Sequence, residues 1–287
     1  MTASRRVVRL LVPVVAAFCA LAALATVVFI MGVLLLRGLG SIDWSFLTND
    51  TRAAGAEGGI VFQILGTLIL VTTALAVAVP PAVALGLTRV VFLENKPRFA
   101  RAVDALLHAL NGVPSIVFGI LGLLIFLKFF DWGKSWLAGG ILLGVMILPT
   151  LAVSLVERLA AVPRKYIEAA AGLGLTREQI IASVWLPQSW PGLVTGSLLG
   201  LARAAGETAP ILFVTAVFSG ATLPTGIREN PLLALPYHIF VLAQDTFHED
   251  ARANLWGAAL VLVILVACFG LAALPLRLRL HEESRHA

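Results

Sequence analysis

Between two long apolar runs, at about 136–156 and 192–218, the chain reads Val162-Pro163-Arg164-Lys165-Tyr166-Ile167-Glu168-Ala169-Ala170-Ala171-Gly172-Leu173-Gly174-Leu175-Thr176-Arg177-Glu178-Gln179-Ile180-Ile181-Ala182-Ser183-Val184-Trp185-Leu186-Pro187. Pro163 suits the opening of a helix, where its missing N–H costs nothing. Glu168 to Ala171 are good helix formers, and Gly172 and Gly174 can end the helix. Thr176 is suited to cap a second short helix, and Pro187 closes the segment before the next apolar run. Two short helices about a tight turn make a compact knob. A knob carried by a membrane domain suits docking into a groove on a soluble partner, although a plain solvated connector would have a similar composition.

That a membrane flanks the knob follows from composition. Of 287 residues, 59% are hydrophobic and 13% charged, with mean hydropathy +0.96. Soluble domains average about 45–50% apolar and about 25% charged residues, so this chain cannot cover a core with a polar surface. Spanning helices need about 20 apolar residues. Runs long enough occur from the N-terminal arginines to Leu36, then at about 60–88, 105–127, 136–156, 192–218 and 254–276. None alternates as a transmembrane strand would, so the expectation is an all-α integral membrane protein with six transmembrane helices. The first run exceeds the ~7–15 apolar residues of a secretory signal and is expected to remain as a helix. The organisation expected is a first helix with its outer loop over 1–59, a transmembrane domain over 60–276 with the knob at 163–187, and a tail over 277–287. Pro80-Pro81, Pro114, Pro149 and Pro210 fall within the runs and are expected to kink them or line a cavity.

Charge orients this frame. With six spans, fourteen of the 21 Lys and Arg residues fall on the side of both termini and six on the other, with Arg203 left inside the fifth run. The positive-inside bias then puts both termini in the cytoplasm. The net charge of +5 is a matter of topology and gives no support to nucleic-acid binding. Cys19 and Cys268 lie within apolar runs and read as small lipid-facing or packed residues. His238 and His248 read as surface residues of an outer loop at 219–253. No metal-ligand spacing, Walker A sequence, Gly-x-Ser-x-Gly or His-Glu-x-x-His occurs, so a catalytic reading has no motif to rest on.

The fifth run holds the misplaced charges. On a straight helix Gly192, Gly196, Gly200, Arg203, Glu207 and Pro210 share one arc of roughly 80°. Small residues four apart let another helix approach closely. An Arg at mid-membrane costs about 2.5–3.5 kcal/mol, so the arc is expected to face a helix interface, a polar path or both. Arg203 and Glu207 could be a self-neutralising pair or a polar element of a translocation path, and the path reading is the stronger for intramembrane ionisable groups.

Two sets of motifs are recognisable. Glu168-Ala169-Ala170, three residues, Gly174, nine residues, then Val184-Trp185-Leu186-Pro187 resembles the EAA loop of ABC-importer permeases, E-A-A-x3-G-x9-I-x-L-P, with Val184 in place of Ile. Arg203-Ala204-Ala205-Gly206-Glu207-Thr208-Ala209-Pro210 resembles the R-A-x-G-E-T-A-P stretch of the PstA family of phosphate permeases. Asn111-Gly112-Val113-Pro114-Ser115-Ile116-Val117-Phe118-Gly119 is similar to that family's G-x-P-S-x-V-x-G segment, and Leu235-Pro236 with Ile239-Phe240 to its outer L-P-x-x-I-[FY] segment.

The resemblance implies a type I (MetI-like) importer core in a bacterial cytoplasmic (inner) membrane. It implies a non-enzymatic subunit that binds no cofactor of its own, ATP and Mg being held by a homodimeric partner ATPase. A sister permease and a periplasmic or lipid-anchored phosphate-binding protein complete the assembly. Carried onto this chain, Glu168, Ala169, Ala170, Gly174, Leu186 and Pro187 would couple to the ATPase. Arg203, Glu207, Thr208, Asn111 and Ser115 would line the translocation path. Gly192, Gly196 and Gly200 would pack helices, with their arc toward the sister permease. Molybdate, tungstate and sulfate importers share the EAA loop. A secondary transporter would show inverted repeats, which are not evident.

Overall fold

The computed structural model describes residues 3–272, apart from 53–54, 56, 218–219, 221–222, 229 and 245–248. The tail expected over 277–287 and His248 lie outside the described residues. The chain is helical almost throughout. A long α1, Ala3–Gly38, leads through α2, Trp44–Thr48, and a two-residue hairpin, β1 (Thr51–Arg52) paired antiparallel with β2 (Glu57–Gly58), into α3, Val61–Leu87. The last turn of α3 widens into a π-helical segment, Thr88–Phe92. Then come α4, Pro97–Asn111; α5, Ser115–Gly122, extended by a π segment, Leu123–Phe129; and α6, Trp136–Ala160. The knob is α7, Arg164–Gly172, and α8, Arg177–Ile180, followed by a π segment, Ile181–Trp185, and α9, Leu186–Ala205. Short α10, Ala209–Val214, and α11, Leu235–Leu242, precede α12, Glu249–Ala272.

The middle of the molecule is α6, sandwiched between α3 and α9. Leu143, Met146, Ile147, Leu151 and Leu155 are all but fully buried there. Close approach is set by missing side chains. A Cβ on Gly144 would lie 2.9 Å from the Ala74 carbonyl oxygen on α3, and one on Gly192 would lie 2.2 Å from Arg158 Cγ on α6. Gly196 and Gly200 sit likewise against Ser154 and Leu151 of α6. The glycine stripe of the fifth run therefore packs inside this chain, and the expected face toward a sister permease is not where those glycines lie. By contrast, α1 touches chiefly α12, and its side chains from Leu11 to Ile30 are exposed, as a lipid-facing helix requires.

Among the described residues, four helical stretches are long and apolar enough to cross a membrane, around α1, α3, α6 and α12, and α4 with α5 make a fifth as a pair bent by 88°. The arrangement is consistent with six crossings if α9 with α10 is counted, although Pro187, Gln188, Thr195 and Arg203 make α9 too polar to meet the same test. Two expected spans are thus not continuous. The run at 105–127 breaks at Gly112–Pro114, because Pro114 cannot donate and adopts an extended conformation (φ −58°, ψ 137°). The helix before the break begins earlier than expected, at Pro97, and is amphipathic, carrying Arg98, Arg101, Asp104 and His108. The run at 192–218 stops at Ala205, with Gly206 as its C-cap and Pro210 inside the first turn of the next helix.

The knob also differs in one respect. Its second helix is not closed off by Pro187: α8, the π segment and α9 form one unbroken helical path from Arg177 to Ala205. The wide turn just ahead of Pro187 gives its ring room that a regular α-turn would deny.

Candidate functional site

Two interruptions in the apolar helices, the bend after α4 and the gap between α9 and α10, meet the Pro149–Thr150 turn of the unbroken α6. Each exposes backbone or admits a polar side chain where the helices are otherwise apolar. Asn111, the last residue of α4, accepts at Oδ1 from the Thr150 hydroxyl (3.0 Å) and from Arg203 NH1 (3.3 Å). Arg203 NH1 also reaches Thr150 Oγ1 (3.3 Å). Nε of Arg203 lies 3.8 Å from Glu207 Oε1, an ion pair too long for a hydrogen bond. The Arg203 and Glu207 side chains are 34% and 19% exposed.

The helix break decides what this pair is. Glu207 has left α9, so the single arc expected from Gly192 to Pro210 ends at Arg203, and Glu207 belongs to the turn that follows. A guanidinium has five N–H donors in a planar fork. Among the described residues, Arg203 makes two hydrogen bonds, both from NH1. Donors on Nη2 and Nε make no hydrogen bond among the described residues, and Nε faces only the more distant Glu207 carboxylate. A planar cationic fork with spare donors is what a tetrahedral oxyanion requires. Ser115 opens α5 on the far side of the bend, and Thr208 is the N-cap of α10; both are half-buried. Thr150 has no counterpart in the sequence reading. A Thr in an apolar helix ordinarily bonds back to its own helix, so its type gave no distinguishing signal; its place after Pro149 was the only hint.

At the other end of α9 the knob is built by local rules. Gly174 sits at φ +77°, and Leu175 N–H to Ala170 C=O (3.2 Å) with Gly174 N–H to Ala171 C=O (2.9 Å) closes α7 in a Schellman cap. That explains the glycine four residues after Ala170 in the motif. Thr176 and Gln179 form a reciprocal capping box on α8. Glu168 and Ala169 are exposed, whereas Ala170 is buried against a small core with Val91, Leu159, Ile180 and Trp185. Leu186 and Pro187 are exposed at the start of α9. A cavity of about 480 Å³ lies between the end of α3, α6 and α7, with Arg89, Glu94, Arg164, Glu168 and Trp185 in its lining.

The end of α3 away from the knob holds a buried polar knot. Thr67 donates to the Gln63 carbonyl (2.7 Å) and accepts from Leu235 N–H (2.9 Å), tying α11 to α3. The Gln63 amide nitrogen donates to Thr51 Oγ1 (2.5 Å) and lies 3.4 Å from His238 Nδ1. His238 is only 3% exposed, which corrects its expected surface position. Burial pushes its pKa down from 6.5 to about 4. Nearby, Lys134 Nζ donates to the carbonyls of Leu212 (3.2 Å) and Ala216 (2.9 Å), capping the end of α10, and burial lowers its pKa as well.

Comparison with known proteins bears on this arrangement. Residues 82–280 match the family described as binding-protein-dependent transport system inner membrane component. The chain is 35% identical over 231 residues to "Phosphate transport system permease protein PstA 2" of Mycobacterium bovis, covering 80% of this chain and 74% of the relative. It is 37% identical over 232 residues to "Probable phosphate transport system permease protein PstA" of Methanocaldococcus jannaschii, covering 79% and 78%. In three dimensions it resembles a chain of the MetNI methionine ABC transporter in an inward-facing conformation, with TM-score 0.57 at 21% identity over 76% of this chain and 96% of that one. The matched segment takes in the knob, the bent α4–α5 pair and the Arg203 cluster together. The chain therefore belongs to the binding-protein-dependent transport system inner membrane components, the non-enzymatic permease subunits of ABC importers.

Proposed function

We propose that this permease imports inorganic phosphate, and that Arg203 is the cation that phosphate meets within the membrane. The observation that carries the reading is the Arg203 fork, with spare donors, where two helix breaks meet the middle of α6. Similarity to the phosphate permeases supplies the substrate class. Asn111 and Thr150 hold one edge of the guanidinium; Glu207 and Thr208 stand in the gap after α9, and Ser115 opens α5 beyond the bend after α4. The site holds phosphate weakly enough to release it, because a single Arg opposed by Glu207 is a shallow well.

In this reading the chain pairs with a sister permease, and both termini lie in the cytoplasm of a bacterial inner membrane. A homodimeric ATPase, which carries ATP and Mg, docks on α7 through exposed Glu168 and Ala169, whereas Ala170, buried against Val91, Ile180 and Trp185, holds α7 in place from beneath. A periplasmic or lipid-anchored binding protein delivers phosphate to the outer face. Closure of the ATPase displaces α7, and the helical path from Arg177 to Ala205, roughly 40 Å long, carries that displacement to Arg203. Another oxyanion (molybdate, tungstate or sulfate) is the alternative substrate.

The test is ATP-driven uptake by the reconstituted complex, with each oxyanion as competitor. Phosphate is expected to be taken up and only phosphate-like anions to compete. Preferential inhibition by sulfate or molybdate would reassign the substrate. Glu168→Lys is expected to abolish uptake while the chain still inserts, and normal uptake in that variant would remove the coupling role of α7.

A further inference from the structure

Helix ends leave their last carbonyls without intrahelical partners. At the end of α3 the π turn uses one of them, Leu93 N–H bonding Thr88 C=O at 3.0 Å. The Val91 carbonyl is instead taken by NH2 of Arg177, a residue of the knob. The same guanidinium lies 4.6 Å from the centroid of the Phe92 ring. A cation at the negative end of a helix, a charge-assisted hydrogen bond and a cation–π contact therefore coincide on one side chain.

Arg177 stands against its own local rule. It is the first residue of α8, where the helix dipole favours an acid and where Glu178 follows suit. A residue that opposes its own helix and satisfies another is explained by the contact it reaches. The second tie between knob and α3, Arg164 to Glu94 at 2.9 Å, has side chains 79% and 54% exposed and contributes little. Beneath both lies the small core of Val91, Ala170, Ile180 and Trp185. Between α7 and α8 the backbone turns at Gly174, a natural pivot.

We propose that Arg177 is a positioning residue, which caps the end of α3 from the knob so that a displacement of α7 moves α3 and α9 as one body. This rests on α7 being the coupling element. Without the clamp, α8 would slide over the end of α3, and a displacement passed on from α7 would reach α9 without moving α3.

Two readouts test it on the complete complex of permeases and ATPase, with Cys19 and Cys268 replaced by Ser. Spin labels on exposed Ala182→Cys, on the same helical path as Arg177, and on exposed Lys96→Cys report the distance between the α8 side of the knob and the end of α3. A single narrow distribution is expected for the parent and a broadened or split one for Arg177→Gln. In the same material, phosphate moved per ATP hydrolysed is expected to fall about tenfold in Arg177→Gln, with assembly and basal hydrolysis retained. Arg177→Lys, which can still reach the carbonyl but not stack on Phe92, is expected to recover most of it. An unchanged distance distribution in Arg177→Gln overturns the clamp. A broadened distribution with unchanged phosphate per ATP overturns its role in transmission. A parent complex that moves no phosphate refutes the proposed function instead, and the distance measurement still decides the clamp.

Discussion

Arg203 is affordable inside a membrane because its neighbours come from two other helices, α4 and α6, and from the turn after its own. Asn111 and Thr150 solvate it without neutralising it, and Glu207 stands far enough away to attract it without engaging its donors. Replacing it by Gln keeps hydrogen bonds to Asn111 and Thr150 but removes the charge. Truncating one partner of a buried charge interaction costs about 2–5 kcal/mol, so Arg203→Gln is expected to lower phosphate uptake by about two orders of magnitude or more in a complex that still assembles. Arg203→Lys keeps a point charge without the fork and should fall between. Uptake by Arg203→Gln at the parental rate would reduce the cluster to a packing contact. Arg203 and Glu207 were legible in the sequence, because charge is rare in an apolar run. Asn111 was legible only through resemblance. Thr150 was not legible, because a hydroxyl in an apolar helix is common and only the fold brings it to Asn111.

At the scale of elements, breaks and close approaches do the positioning. Residues of α3 and the segment entering α11 touch so closely at Gly66 that a Cβ there would lie 1.9 Å from the Leu233 carbonyl oxygen. That carbonyl cannot retreat, since Leu232, Leu233 and Leu235 are buried and Leu235 N–H is bonded to Thr67. Gly66→Ala is therefore expected to destabilise the chain by about 3 kcal/mol or more. Gly32 in α1 meets nothing within 4 Å, and Gly32→Ala should be neutral or stabilising by up to about 1 kcal/mol. Thermal unfolding of the two purified variants, followed by tryptophan fluorescence, separates them; equal midpoints would refute the contact. The sequence announced the prolines and glycines of both broken spans but not that each break would end a helix. Hydropathy averages over a window, and the apolar residues on either side of Gly112–Pro114 and Gly206–Thr208 hide a change of direction from such an average.

The whole molecule holds together its end opposite the knob through the Gln63–Thr67–His238 knot, and this sets a pH limit on its stability. Burial favours the neutral ring of His238, with its pKa near 4. The unfolded chain, with an ordinary value of about 6.5, takes up the proton first as pH falls. Stability is thus complete above about 6.5, declines from there down to about 4, and is flat below that as far as this group is concerned. The full loss is roughly 3 kcal/mol. His238→Gln is expected to remove that part of the acid sensitivity, so that its unfolding midpoint falls less than the parent's between pH 7 and pH 4. Parallel curves for the two proteins would refute the assignment.

Composition and spacing alone determined that the chain is an all-α membrane protein, that a knob interrupts its apolar runs at 163–187, and that Arg203 and Glu207 are out of place. These are local or additive properties: hydropathy sums along the chain, turn and cap residues act within a few positions, and a charge in lipid is costly wherever the rest of the chain goes. Only the tertiary structure decided that the glycine stripe of α9 meets α6, that His238 is buried, that Arg177 caps a helix some 86 residues earlier in the chain, and that two separate breaks and Thr150 of α6 surround one guanidinium. Such facts depend on which helix faces which, and the energy that fixes them comes from packing and hydrogen bonds between residues far apart in sequence, where no local pattern records the partner.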